Sequence, residues 1–445
     1  MSINTQFIQT PESAYQPARR RFLQQLLGGV TATATLPSLL FAKNKLPLEQ
    51  FTQAAKALAS SGDERFWQLV KEQFPLRKGL ILMNAANLCP TPYPVIEAVN
   101  KLARDVDADA SFQNRGKFRE LHEQTVQALA EYLGADTDEV VITRNTSEGN
   151  NLVVGGLDLK TGDEVVIWDQ NHPTNNVAWD VRAQRYGFSV KRVSTPNAPK
   201  HANELIVPFE NAITKNTRVL AFSHISNVSG VALPVKEICT LAREKNILTL
   251  VDGAQSFGFL DLDLHDLGCD FFTGSAHKWF VGPKEAGILF VRKERGKDLW
   301  PIQVGVGWEQ AKERGAWKFS TLGQREDARV CAMKTAIDFH NSIGKNNVEK
   351  RVRQIAATLK SKIGKRISGT KFHTPLKPEQ SGGVVVFALP RVDARKAFQT
   401  LYEKHNIGCA PMRGDFTGIR LSPHIYNTME EVERVVATLE ELAVS

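Results

Sequence analysis

Two features that would restrict the fold are scarce in this 445-residue sequence. No segment approaches the roughly 20 consecutive apolar residues that a membrane-spanning helix needs, and the weakly apolar stretch over residues 26–42 is broken by two glycines and a proline. The 5 cysteines are odd in number and form no CxxC pair, so the spacing predicts neither a zinc site nor a full disulfide framework. We therefore expect a globular protein with no membrane span and no bound metal.

A concentrated basic surface is also missing. The net charge is +8 and the pI about 9.1, but basic and acidic residues are interleaved and no aromatic platforms accompany them, which excludes nucleic acid as a partner. Hydrophobic residues make up 42% and charged residues 23%, so the disordered and collagen-like classes are excluded. At roughly 150 residues per domain, the length leaves room for about two or three domains.

The N-terminus resembles a twin-arginine export signal. Three arginines precede Phe-Leu within residues 19–23, and a soft apolar stretch follows that ends near residue 42. The resemblance implies that residues 1–42 are a signal peptide, that the mature chain is periplasmic, and that the twin-arginine (Tat) translocase is a partner during export. Proteins exported by this route fold in the cytoplasm, which directs the search to a cofactor site. A basic helix in a cytoplasmic protein is the alternative interpretation.

Apolar runs of strand length alternate with helical patterns from about residue 92, which is typical of a parallel sheet flanked by helices. The pattern predicts strands at residues 140–143, 164–168, 189–193, 219–223, 248–252, 271–274 and 288–291. Helices are expected between them, including 117–133, 176–186 and 234–245. The predicted fold class is α/β, with a mostly parallel seven-stranded sheet in a large domain.

The pattern changes after about residue 326. Long helices are predicted first, then short mixed elements: helices over 327–343, 346–364, 392–404 and 428–443, a strand over 384–388 and a short strand pair. We therefore predict a smaller α+β C-terminal domain over residues 326–445, a large domain over 92–325, and an N-terminal segment over 43–91 that lines the site.

Polar residues follow several predicted strands at their carboxyl ends, where open parallel sheets bind ligands. The first strand leads into a helix start whose N–H groups, with the hydroxyls of Thr146 and Ser147, suit a phosphate. Asp252 closes the fifth strand, and a carboxylate there is expensive to bury without a cationic partner. His277 and Lys278 follow the sixth strand. Each feature has an ordinary alternative, as a helix cap, a core histidine or a surface lysine, but together they indicate a cofactor site.

From about residue 76 to the C-terminus, the sequence resembles the class V aminotransferase family of pyridoxal-phosphate (PLP) enzymes. The motifs that carry the resemblance are Asp-Gly-Ala-Gln at residues 252–255 and Ser-Ala-His-Lys-Trp at residues 275–279. That family includes cysteine desulfurases, kynureninases and isopenicillin N epimerase-like proteins. The resemblance implies the fold type I architecture of PLP-dependent transferases, pyridoxal 5'-phosphate as the cofactor, and a homodimer.

The resemblance also implies roles for single residues. Lys278 would bind the cofactor covalently and act as the base that moves the substrate's α proton. Asp252 would pair with the pyridine nitrogen, and Gln255 and Asn227 would contact the phenolic oxygen. The remaining cofactor contacts, all to the phosphate, would come from Thr146, Ser147, Ser275 and His277.

Substrate contacts are expected from two further segments. Arg420 matches the family arginine that binds the substrate carboxylate, a task that suits a planar guanidinium; a surface salt bridge is the alternative. Asn87 belongs to the Asn-Ala-Ala-Asn turn at residues 84–87, which resembles the segment that lines the substrate side of such sites.

Three positions depart from the family pattern. A histidine stacks over the cofactor ring in many relatives, and either His172 or Pro173 occupies that place here. Gln324 stands where relatives carry a threonine that reaches the phosphate of the neighbouring subunit. Cys409 does not match the catalytic cysteine of the desulfurases, so we expect no persulfide route.

Three functional hypotheses follow. The first is an exported PLP enzyme that acts at the α carbon of an amino-acid or peptide-like substrate, by transamination or epimerase-like chemistry. The second is a lyase that breaks a carbon–sulfur or other β bond with the same cofactor residues. The third is a catalytically silent protein that keeps the fold, although the presence of Lys278 and Asp252 argues against it. Fold resemblance does not decide among reactions.

Overall fold

The computed structural model describes residues 45–58 and 63–444. The predicted export signal at residues 1–42 lies outside them. Within the described residues, no helix combines the length and the apolar character needed to cross a membrane. All of them fall in one compact unit, and the predicted boundaries at residues 91/92 and 325/326 stay a prediction.

The strands of the described residues form three sheets. In chain order they are β1 (Ile81–Leu82), β2 (Val140–Thr143), β3 (Glu164–Trp168), β4 (Ser189–Val193), β5 (Thr217–Ser223), β6 (Leu248–Asp252), β7 (Phe271–Ser275), β8 (Gly287–Val291), β9 (Lys371–Phe372), β10 (Val385–Ala388), β11 (Ile407–Gly408), β12 (Ala410–Met412) and β13 (Gly418–Leu421).

The largest sheet has seven strands in the order β2-β8-β7-β6-β5-β3-β4. Only β8 runs against its neighbours, pairing antiparallel with β2 and β7. The predicted α/β fold with a mostly parallel seven-stranded sheet is therefore confirmed. The two other sheets are an antiparallel one, β12-β13-β10-β9, and the parallel pair β1-β11.

The helices flank these sheets. In chain order they are α1 (Leu48–Ala57), α2 (Glu64–Glu72), α3 (Tyr93–Ala108), α4 (Phe112–Arg115), α5 (Lys117–Leu133), α6 (Thr146–Gly156), α7 (Pro173–Tyr186), α8 (Asn203–Ala212), α9 (Val235–Glu244), α10 (Leu264–Leu267), α11 (Trp308–Ala311), α12 (Asp327–Ile343), α13 (Lys345–Arg366), α14 (Ala394–His405) and α15 (Met429–Val444). Short 3-10 helices occupy Thr137–Glu139, Lys293–Asp298, Gly315–Ser320, Pro378–Gln380 and Gly414–Phe416.

Both faces of the large sheet are covered. Along β3, Val166 packs into the core on one face of the sheet, and its neighbours Val165 and Ile167 pack into the core on the other. This explains why the predicted strands are continuous apolar runs rather than alternating ones. The parallel strands end at one edge of the sheet, which brings Asp252 of β6 and Ser275 of β7 to neighbouring positions.

Candidate active site

A helix start lies beside the end of β7. Asn145 caps α6 by accepting a 3.0 Å hydrogen bond from the backbone N–H of Glu148. Directly after the cap, the backbone N–H and the hydroxyl of Thr146 lie 2.9 and 2.7 Å from the Ser275 hydroxyl. No described residue accepts a hydrogen bond from the N–H or the hydroxyl of Ser147. The N–H and the hydroxyl of Ser147 are therefore available to an anion at the helix N-terminus.

Asp252 is buried at the end of β6 and is surrounded by neutral donors. Its carboxylate accepts hydrogen bonds from the Asn150 side chain at 2.9 Å and from the Ala254 N–H at 3.0 Å. Thr273 donates to the Asn150 oxygen at 2.7 Å, which fixes the Asn150 amide with its NH₂ toward Asp252. No ion pair to Asp252 is formed in the described part of the chain. Because an unpaired buried carboxylate is costly, the position suits a cationic N–H.

Lys278 follows β7 at the same edge of the sheet. Burial lowers the pKa of its ammonium group; Asp252 acts in the opposite direction, and the positive charge of Arg420 lowers the pKa further. Across residues 45–58 and 63–444, the amine has no hydrogen-bond or ion-pair partner. A lysine held this way is more easily deprotonated than usual and is free to react.

The turn that carries Lys278 is fixed through its backbone. The carbonyls of Ala276, His277 and Lys278 accept hydrogen bonds of 2.7, 2.8 and 2.9 Å from the N–H groups of Gly282, Cys89 and Val281. Val281 has φ +46°, a strained value for a β-branched residue. Such strain persists only where surrounding contacts over-determine the backbone, and here those contacts set the origin of the Lys278 side chain.

Arg420 lies on β13, close enough to Lys278 for its charge to lower the pKa of that amine. Its Nη1 donates to the Asn227 carbonyl at 3.0 Å and its Nη2 to the Asn84 side-chain oxygen at 3.3 Å. Nε is buried and has no acceptor among the described residues, and no carboxylate there pairs with the guanidinium. Burial lowers the pKa of Arg420 to about 10, with Cys409 acting in the opposite direction. A buried cation that meets only neutral oxygens is a receptor for an anion.

Two histidines lie within electrostatic reach of Lys278. His172 caps α7 by accepting from the Thr174 N–H at 3.3 Å, and Pro173 is the first helical residue. Burial is the main cause that lowers the pKa of His172, and the positive charge of Lys278 lowers this pKa further. Burial, then Lys278 and Lys284, lower the pKa of His277 to about 4. Both rings are therefore neutral at pH 7, and the stacking role of His172 or Pro173 stays a prediction.

Two predicted site residues, Gln324 and Asn87, have exposed side chains. The exposed Gln324 side chain accepts from Arg115 and donates to the Arg325 carbonyl at 3.0 Å, rather than meeting residues around Lys278. The Asn87 side chain is exposed, and the contact formed by this residue is a 3.0 Å bond from its N–H to the Asn84 carbonyl. Among the described residues of one chain, no contact of Gln324 or Asn87 supports the role predicted for it.

Three residues at the site were not predicted from the sequence. Asn84 and Asn150 orient Arg420 and Asp252, and Trp279 donates to Gln255 at 2.7 Å. A sequence signal existed for Asn150, which lies one helical turn after Thr146 and so shares its face. Asn84 belongs to the 84–87 turn that was expected on the substrate side, but its contact with Arg420 carried no signal, because Asn84 is paired with Ser422, far along the chain.

An α/β fold with this strand order and with such a lysine and aspartate at adjacent strand ends is that of the fold type I PLP enzymes. The chain belongs to the class-V aminotransferase family, whose family model matches residues 81–435. Isopenicillin N epimerase of Amycolatopsis lactamdurans is 32% identical over 395 residues, which cover 85% of this chain and 98% of that protein. A probable cysteine desulfurase of Methanothermobacter thermautotrophicus is 29% identical, covering 84% of this chain and 97% of that one.

Solved structures agree on the architecture. The complex of a cystine C–S lyase with its product cysteine persulfide superimposes with a TM-score of 0.76 at 25% identity, covering 83% of this chain and 100% of that one. A variant of the same lyase holds glycine covalently linked to its PLP cofactor. PLP is the cofactor of this family of enzymes.

The described residues fit PLP by charge and by unused hydrogen-bonding capacity. The carboxylate of Asp252 meets only neutral donors and can accept from a protonated pyridine nitrogen. The Lys278 amine is unpartnered, and the donors of Ser147 face no acceptor among the described residues. A ligand with a cationic ring nitrogen, an aldehyde and a phosphate complements all three.

Proposed function

We propose that this protein is a PLP-dependent enzyme that acts at the α carbon of an amino-acid or peptide-like substrate, by epimerase-like chemistry or transamination. The observation that carries the proposal is Arg420, a buried guanidinium with an unused Nε and no acidic partner among the described residues, held in the electrostatic neighbourhood of Lys278. The substrate carboxylate would supply the missing negative charge. Similarity to isopenicillin N epimerase over most of the chain supports the same class of substrate.

Each residue then has a defined task. Bound PLP supplies an electron sink for a bond broken at the substrate's α carbon. Lys278, whose pKa is lowered by burial, attaches the cofactor and takes or returns the α proton at its Nζ. Asp252 accepts from the ring nitrogen and keeps it protonated, and Thr146 with Ser275 forms part of the phosphate cradle.

Arg420 orients the substrate before the proton is moved. Two acceptors, the Asn227 carbonyl and the Asn84 amide oxygen, hold its Nη atoms, so the plane of the guanidinium is fixed before substrate arrives. Pre-organisation of this kind lowers the entropy cost of binding and holds the α carbon near the base.

A carbon–sulfur lyase is the second candidate, favoured by the structural likeness to the cystine C–S lyase. The same base and cofactor residues would serve β elimination. Release of pyruvate and ammonia, with no need for a keto-acid acceptor, would identify this reaction. A desulfurase route that uses a cysteine nucleophile is disfavoured, because all five cysteines are buried and burial raises the pKa of Cys409 to about 12.

The Lys278→Ala variant tests the proposal. We expect the wild type to bind PLP with a visible absorption band that borohydride abolishes while it fixes the cofactor on the peptide containing Lys278, and we expect the variant to lose at least about 100-fold in activity. The matched control is Lys360→Met, which removes another buried lysine, one bonded to the Pro375 carbonyl and Ser381 hydroxyl at 2.8 Å. A wild type that stays colourless with added PLP would overturn the proposal and would favour a silent protein.

The proposal extends to assembly and location. Four exposed apolar side chains occur within one short segment, at Trp300, Ile302, Val304 and Val306, and Gly305 of that segment donates to the Thr321 hydroxyl at 3.4 Å, three residues before Gln324. These residues support a partner surface and hence a homodimer. Sedimentation of the purified protein tests this assembly. The Arg-rich motif at residues 19–23 supports export to the periplasm by the Tat translocase, which cell fractionation tests.

A further inference from the structure

Trp279, the residue after Lys278, is fully buried and uses its one side-chain donor on a site residue. Its indole N–H donates to Oε1 of Gln255 at 2.7 Å. An indole nitrogen is a donor only, so the atom of Gln255 that faces it must be the carbonyl oxygen. The contact therefore assigns the orientation of the Gln255 amide.

The opposite side of the amide agrees with this assignment. Nε2 of Gln255 donates to the Ala86 carbonyl at 3.0 Å. The amide NH₂ carries two hydrogens, and no second acceptor is found for it among residues 45–58 and 63–444. One N–H hydrogen is left for a ligand, at a residue that is itself only 3% exposed.

The backbone carbonyl of Trp279 is held by a hydrogen bond from His424. Ile425 N–H donates to Nδ1 of His424 at 2.7 Å, so the ring hydrogen is on Nε2, which donates to the Trp279 carbonyl at 2.7 Å. Burial lowers the pKa of His424 to about 3, so this tautomer persists at neutral pH. The indole also lies against Gly383, where an added Cβ would be 2.6 Å from the ring.

The contacts close into a ring that consists of hydrogen bonds and of the chain segment from Ser422 to His424. Ala86, which accepts from Gln255, donates its N–H to the Ser422 hydroxyl at 3.1 Å, and Ser422 lies two residues before His424. The ring thus joins the turn at 84–87, the Lys278 turn and the segment that follows Arg420. Every member is buried, so a lost donor cannot be replaced by bulk water.

We propose that Trp279 is a positioning residue, whose indole N–H holds the Gln255 amide so that its remaining N–H hydrogen is presented to the phenolic oxygen of the cofactor. This inference rests on the proposed function, because it requires PLP to be bound. It gives Trp279 no contact with substrate. Its effect is on the charge that the phenolic oxygen carries, through Gln255.

The test is Trp279→Phe in the full-length PLP-loaded protein, followed by the pH midpoint at which the cofactor's absorption bands interconvert. A donated hydrogen bond stabilises the deprotonated oxygen, so its loss should raise that midpoint by about half a pH unit or more. The control is Trp179→Phe, which removes another fully buried indole, whose N–H has no partner among the described residues. We expect the control to leave the midpoint unchanged.

Gln255→Met and the double variant separate positioning from packing. If Trp279 acts through Gln255, the double variant should shift the midpoint no more than Gln255→Met alone. Additive shifts, or an unchanged midpoint in Trp279→Phe, would overturn the inference. If Trp279→Phe does not fold, an unchanged midpoint in Gln255→Met overturns it equally, since Trp279 would then have no target. A wild type that binds no PLP would instead overturn the proposed function.

Discussion

The two Nη atoms of Arg420 each donate to a neutral oxygen, and its Nε has no acceptor among the described residues. The exposed arginines of this protein differ from it, because several pair with carboxylates; Arg192 with Asp180 is one case. A cation that is buried without a counter-charge has lost its hydration and gained nothing equal in return. An incoming carboxylate would supply the missing counter-charge and so offset the lost hydration of the guanidinium.

Arg420→Lys should weaken binding of an amino acid at least about 10-fold, because an ammonium cannot make the two-pronged contact. Binding of the corresponding amino-acid amide, which lacks the carboxylate, should be unaffected. Spectral titration of the PLP-loaded enzyme with both compounds measures the two effects. Arg413→Lys, an exposed position between β12 and β13, serves as the control; equal weakening for acid and amide would contradict the assignment.

How far single residues can be predicted depends on what signals them. Lys278 and Asp252 could be predicted because Asp252 ends a strand and Lys278 lies three residues after the next one, and the apolar pattern reveals the positions of both strands. The contact between Asn84 and Arg420 was not predicted, although the 84–87 turn was, because the two residues are 336 positions apart. Trp279 belongs to the motif at residues 275–279 but received no role from the sequence, and only the 2.7 Å contact to Gln255 shows its polar use.

Among the elements, most predicted strands and helices are found within a few residues of their expected bounds. The strands of the large sheet are apolar on both faces, so their runs are unmistakable. Helix α7 begins at Pro173 rather than at 176, because proline fits the first helical turn and His172 provides the cap. The strands β9, β11 and β12 have two or three residues, too few for a periodic signal.

The contact between α6 and β7 is close enough to be sensitive to one methyl group. A Cβ at Gly149 would lie 2.9 Å from the Thr273 Cγ2, and Thr273 orients Asn150 toward Asp252. We expect Gly149→Ala to lower the free energy of unfolding by about 1–3 kcal/mol and to weaken PLP binding. Urea unfolding and PLP titration measure these effects. Gly296→Ala is the control, because nothing lies within 4 Å of the added carbon; equal behaviour of both variants would contradict the prediction.

For the whole molecule, buried histidines set the response to acid. Burial lowers the pKa of His224 and His340 to about 4 and that of His424 to about 3. Between these values and the usual 6.5, the unfolded chain binds protons that the folded chain excludes. Stability present at pH 7 is therefore lost as the pH falls.

We expect the free energy of unfolding to fall between pH 6 and 4 by about 4 kcal/mol per pH unit or more, since the three fully buried histidines contribute about 1.4 each and His277 adds to them. Urea unfolding at a series of pH values measures the slope. His340→Gln keeps a donor for the Phe280 carbonyl, now 3.0 Å from the His340 Nε2, and should reduce the slope by about 1.4 kcal/mol per pH unit. A stability that stays flat from pH 7 to 4 would contradict this account.

The pairing of residues 83–86 with Ser422 has a consequence for the order of events during synthesis. By the time residue 291 has left the ribosome, every strand of the large sheet exists, and that sheet can begin to fold on the emerging chain. Arg420, Ser422 and His424 are translated later, at least 129 residues after the last strand of that sheet. The site is thus completed only well after the large sheet has been translated, and a chain cut short before residue 418 would contain every strand of that sheet while lacking Arg420, the proposed anchor of the substrate carboxylate.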